Sequence, residues 1–95
     1  MKVHVKVTQE DIDKGCRGEP YGANGGCMVW RALDRATEGA LDGLVVGTNG
    51  FDYHGALWRT VPFPPHVGEK IERFDAGGHV EPFAFDIDLP TEALT

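Results

Sequence analysis

An α+β fold is the class this chain predicts, and three features carry that expectation. Both ends alternate apolar and polar residues, Val3-Val5-Val7 near the start and Phe83-Phe85-Ile87-Leu89 near the end, as half-buried strands do. Val67, Ile71 and Phe74 recur at i, i+4 and i+7, the stripe of an amphipathic helix. Glycine and proline cut the chain into short elements, and no repeat or long linker divides it. The 95 residues therefore predict one domain over 1–95 with a loose tail from about 90. Its architecture is a small antiparallel or mixed sheet of about four strands with two main helices packed on one face.

Taken in order, residues 2–7 form the first strand, and Thr8 opens a Thr-x-x-Asp pattern to Asp11 that caps a helix of about a turn and a half, anchored by Ile12 and stopped by Gly15. A second helix starts near Asn24 or Gly25 and runs to about Thr37, with Val29, Leu33 and Ala36 on one face and Arg31, Asp34 and Arg35 pointing elsewhere. Leu44-Val45-Val46 is a short strand followed by an Asn49-Gly50 hairpin signal. His54-Gly55 is a second turn, and Phe51-Asp52-Tyr53 is either its own strand or a bulged continuation. Leu57 to Phe63 is the next strand, with Leu57, Arg59, Val61 and Phe63 opposite in parity to Trp58 and Thr60. Pro64-Pro65 begins the third helix and Gly77-Gly78 closes it. Pairing the two terminal strands sets Lys2 and Lys6 on the face of Asp86 and Asp88, so these strands are expected to be neighbours.

Composition narrows the function classes. Hydrophobic residues at 41% and charged residues at 25% suit a globular chain rather than a disordered one. A net charge of −6 argues against direct nucleic acid binding, which needs clustered Lys and Arg, and favours a basic partner surface. No apolar run reaches the ~18–20 residues of a membrane span, and the alternating N-terminus is unlike a signal peptide. Cys16 and Cys27 without a secretory signal indicate reduced thiols in a cytoplasm. They and the four histidines lack the close-spaced ligand pairs of a zinc site, so neither a metal nor another cofactor is expected. A core this small leaves room for self-association into a homo-oligomer to add stability.

One resemblance follows from the motifs. Thr8-Gln9-Glu10-Asp11-Ile12-Asp13-Lys14-Gly15, then Cys27-Met28-Val29-Trp30-Arg31-Ala32-Leu33, then Phe74-Asp75-Ala76-Gly77 and Pro82-Phe83-Ala84-Phe85 resemble a family of small bacteriophage proteins. That family's usual form reads Thr-x-x-His-Ile-x-x-Gly, Cys-Pro-(Ile/Val)-Ala-x-Ala-Leu, Phe-Asp-x-Gly and Pro-Phe-x-Phe. Asp11 stands where the family often has His, Met28 where it has Pro, and Trp30 where it has a small residue. The resemblance implies an accessory protein of phage origin acting on host defences in the host cytoplasm, and it supplies no active site.

Three stretches compete as sites. Residues 15–26 hold five glycines and one proline and lead into a helix N-terminus, where exposed N–H groups can hold an anion. Arg17 could fork an anion, Tyr21 or Trp30 could stack on a base, and Asn24, Gly25 and Gly26 would form the cradle, although the same residues also suit a connection capped by Asn24. Tyr53, His54, Trp58 and Arg59 cluster around a turn and are rich in the residue types of binding hot spots. Asp75, Glu81, Asp86, Asp88 and Glu92, with no Lys or Arg after Arg73, form an acidic stretch that suits a basic groove on a host protein or a solvated strand face. The expected function is a non-enzymatic protein that inhibits a host defence component, by blocking a protein or by sequestering a nucleotide-like signalling molecule. The alternative is a small hydrolase or transferase built on Cys27 and a histidine.

Overall fold

A computed structural model describes residues 1–15 and 27–90. Its elements are β1 (Lys2–Val7), α1 (Gln9–Lys14), α2 (Met28–Ala36), β2 (Val45–Val46), β3 (Gly50–His54), β4 (Trp58–Pro62), α3 (Pro65–Asp75) and β5 (Phe83–Asp88). The α+β class stands. Among the described residues five strands form two antiparallel sheets, β1-β5 and β2-β3-β4, against an expectation of one sheet of about four strands.

The terminal strands are neighbours, with Lys2 opposite Asp88 and His4 opposite Asp86. Their alternation buries Val5, Val7, Phe85 and Ile87 and leaves the charged partners outside. Phe51-Asp52-Tyr53 belongs to a separate strand, joined to β2 by a turn at 47–49 and to β4 by a turn at 55–57.

The two sheets are joined by an aromatic row rather than by a ladder. Phe51 meets Phe63 at 5.6 Å between ring centres, Phe63 meets Phe85 edge-on at 5.4 Å, and Phe85 stacks on Phe83 at 6.2 Å. Such tilted and offset contacts suit the ring quadrupoles. Hydrogen bonding explains the break. Phe63 N donates to Asn49 O (2.9 Å) and Gly55 N to Leu57 O (3.1 Å), so the bonded pairs between β3 and β4 are Phe51–Val61 and Tyr53–Arg59. The backbone groups of Trp58, Thr60 and Pro62 therefore face away from β3, and Pro62 has no N–H with which to extend a ladder.

The helices follow their stripes. Val67, Ile71 and Phe74 of α3 are buried, and Gly78 N to Arg73 O (2.8 Å) with Gly77 N to Phe74 O (3.1 Å) end it. That doubly bonded end needs a left-handed residue, and Gly77 supplies φ +83. Cys27 caps α2, its Sγ accepting from Trp30 N at 3.4 Å, so the described helix begins three or four residues after the expected start. The proposed capping role of Asn24, and all of 16–26 and 91–95, lie outside the described residues.

Gly15 ends α1 for a reason other than backbone freedom. Its φ is −67, open to any residue, but a Cβ there would stand 2.7 Å from Met28 N, 2.8 Å from Asp11 O and 2.9 Å from Phe74 Cζ. Three elements meet over this one hydrogen atom. Gly15→Ala is expected to lower stability by about 1–3 kcal/mol through overpacking. Urea denaturation should show an earlier midpoint with an unchanged slope.

Candidate functional site

The strongest candidate surface is the turn between β3 and β4. Leu57 is 70% exposed and Trp58 61%, unusual for adjacent large apolar side chains. The Trp58 ring is nevertheless held. It meets His54 edge-on at 5.1 Å and 87°, and a Cβ on Gly43 would lie 3.2 Å from its Cη2. His54 N donates to Asp42 O (2.8 Å), which ties the hairpin to the segment below it. Arg59 and Thr60 are exposed beside Trp58.

Tyr53 does not belong to this surface. It is 3% exposed, with its ring 6.3 Å from Phe51, because it shares that residue's parity and so turns into the core. Leu57 departs the other way: expected on the Val61 face, it lies in the turn beyond the end of the core. Its position directly after His54-Gly55-Ala56 was the signal, since a turn residue does not keep the alternation of the strand it precedes.

The acidic stretch is charge-compensated where it is ordered as a strand. Asp86 Oδ1 lies 2.7 Å from His4 Nδ1, and Asp88 stands opposite Lys2. Asp86 and Asp88 are exposed, but Lys2 and Lys6 share their face and His4 bonds Asp86. The face does not present a continuous run of negative charge.

In the proposed anion cradle, Arg17, Tyr21, Asn24, Gly25 and Gly26 lie outside the described residues. Trp30 is half-buried, packs against the core and spends its indole N–H on Leu44 O at 2.9 Å. Its polar edge is thereby committed within the fold.

Cys27 is 4% exposed, and burial pushes its thiol up. A protonated buried thiol that caps a helix is a poor nucleophile. Among the described residues no three His, Cys, Asp or Glu side chains are grouped to hold a metal ion, and no helix is long and apolar enough to cross a membrane.

The most concentrated polar constellation was not anticipated from sequence. Asp11, wholly inaccessible, accepts from Arg35 Nη1 (2.8 Å) and Nη2 (2.6 Å) and from Thr8 N (2.9 Å). Thr8 Oγ1 accepts from Asp11 N (3.2 Å), which completes a capping box. Arg35 Nη2 also donates to Lys6 O (2.8 Å), and Arg31 Nε stands 3.6 Å from Asp11 Oδ1. Arg31 and Arg35, expected off the Val29 and Leu33 face, turn toward α1. The pattern Thr8-x-x-Asp11 was visible, but the second role of its carboxylate was not.

The chain matches no family model, no curated protein and no solved structure. What fold and surface define is an α+β domain with an apolar hairpin tip.

The Asp11 node sets an acid limit on stability. Burial pushes the carboxyl up, but the Arg35 and Thr8 hydrogen bonds outweigh it and leave the pKa below the ordinary value. A carboxyl lowered on folding stabilises fully above its unfolded value of about 3.9, and that contribution is lost as pH falls through the folded value. Stability should therefore fall below about pH 4. Asp11→Asn should cost about 2–3 kcal/mol at neutral pH, less than a fully buried pair because Arg35 is half-exposed. Denaturation across pH 2–7 checks both, and a variant whose acid limb equals the parent's would remove Asp11 as its cause.

Proposed function

We propose that this chain is a non-enzymatic protein-blocking module whose β3–β4 hairpin tip docks on a host protein. A bacteriophage accessory protein directed against a host defence component is the biological form of this reading. One observation carries it: Leu57 and Trp58 stand side by side in solvent, with Trp58 braced by His54 and Gly43. A fixed, exposed tryptophan loses little side-chain freedom on binding, and tryptophan is the residue type most enriched at hot spots. The buried, raised thiol of Cys27 favours this reading over a cysteine-dependent hydrolase or transferase. The nucleotide-sequestering version draws only Trp30 from the described residues, and that ring is half-buried against the core. Protein blocking is therefore preferred.

The test is capture from host lysate followed by an affinity measurement on the purified target. Trp58→Ala should weaken binding by about 2 kcal/mol, roughly thirtyfold, with little change in unfolding midpoint. A target bound equally well by Trp58→Ala and Leu57→Ala would sink the docking role of the tip. Cys27→Ser is expected to retain full biological activity; a folded but inactive variant would bring back the enzyme.

A further inference from the structure

The geometry points to the outer edge of β4 as a strand-addition site for an extended basic segment of the partner protein. This rests on the protein-blocking reading and names the chemistry that the hairpin would recognise. The bonded pairs of the hairpin turn the N–H and C=O groups of Trp58 and Thr60 outward, where both residues are exposed. Other strand edges carry side-chain caps on a carbonyl: Arg35 Nη2 donates to Lys6 O of β1 (2.8 Å), and His66 Nε2 lies 3.2 Å from Ala84 O of β5. Trp58 and Thr60 lie in unbroken register with β3 and neither is a lysine, so β4 keeps an edge that can pair at these two residues.

The face beside that edge is hollowed. A depression of about 450 Å³ is lined by Val45, Thr48, Asp52, Thr60 and Pro62 and by the bare backbone of Gly47 and Gly50. Gly50 is required there, since a Cβ would lie 2.4 Å from Val61 O. A strand laid antiparallel along β4 would place one side chain opposite Thr60, on the face that carries Trp58 and Asp52. Asp52 Oδ1 accepts from Thr60 Oγ1 (2.7 Å), and a carboxylate keeps further acceptor capacity. An arginine or lysine entering the hollow meets that carboxylate, a group that attracts a cation. The net charge of −6 favours the same sign of partner.

A second copy of the chain fits this edge less well. Two-fold pairing centred on Arg59 sets two guanidiniums opposite one another. Pairing centred on Thr60 sets each Trp58 carbonyl opposite Pro62, which has no N–H to give. A foreign strand avoids the first defect, and one that ends opposite Thr60 avoids the second.

The test uses the whole chain and three capped hexapeptides of alternating valine and threonine. One has a central arginine, one a glutamate in its place, and one the arginine with an N-methylated backbone on the pairing edge. Titration followed by the Thr60 amide and Trp58 indole NMR signals should show the arginine peptide binding about tenfold or more tighter than the other two. Thr60→Pro removes the outward N–H and the hydroxyl bonded to Asp52 but no N–H of the hairpin ladder, which survives; it and Asp52→Asn should each weaken the arginine peptide about tenfold. Equal binding of arginine and glutamate peptides, no binding, or shifts confined to other surfaces would overturn the proposal. So would sedimentation that finds a dimer dissolved by Thr60→Pro, since a second copy would then hold the edge. Lysate capture that depends on Trp58 but not on Thr60 or Asp52 removes this inference and keeps the protein-blocking reading; peptide binding without any captured target does the reverse.

Discussion

A buried carboxylate can be kept charged only if every direction around it is answered, and Asp11 is the point from which this fold is organised. Its two oxygens take both terminal nitrogens of Arg35 and the backbone N–H of Thr8. The same guanidinium reaches back to Lys6 O. One node thus joins the end of β1, the start of α1 and the last turn of α2. Desolvating a charge is expensive, and the partners compensate only in one geometry. The node therefore selects a particular placement of α2 on β1 more than it adds stability. α1, at six residues, is far too short to be stable alone; the capping box and this ion pair hold it.

From that corner the rest follows by packing. α2 lies along β1, which places Trp30 where its indole reaches Leu44 O and pins the segment leading into β2. Phe74 of α3 closes against Gly15, and Gly68 of the same helix comes so near Thr48 that an added Cβ would stand 2.9 Å from its carbonyl oxygen. These approaches fix α3 at both ends. The aromatic row from Phe51 to Phe83 then carries cohesion across the gap between the sheets, where Pro62 leaves hydrogen bonding no continuation.

Elements whose information is local were legible in the sequence: the alternation of β1 and β5, the stripe of α3, the Thr8 cap and the two hairpin turns. The opposite charges of Lys2 and Asp88 even indicated which strands pair. Legibility stopped where a residue serves a partner distant in sequence. Asp11 looks like a capping residue, and only the arrival of Arg35, 24 positions away, turns it into the centre of the node. Tyr53 and Leu57 were each placed on the wrong side for a related reason. Both lie close to turns, where residue type suggests a surface role for tyrosine and a core role for leucine, while strand parity and the end of the core decide the opposite.

The functional argument rests on a contrast within the surface. The β1-β5 face neutralises itself: acids stand opposite bases, and Arg35 and His66 bond carbonyls on its edges. Such a face suits solvent. At the β3–β4 tip the same chain leaves Leu57 and Trp58 in water, with Gly43 close against the Trp58 ring. Core packing does not require an exposed indole to be braced by a histidine and a glycine, since bracing adds nothing to burial. It does reduce the entropy that a partner must remove. Solubility is served by the self-neutralised face, and recognition is better served by the β3–β4 hairpin, which carries an apolar tip, an outward backbone edge and, toward its other end, a hollow lined by Asp52.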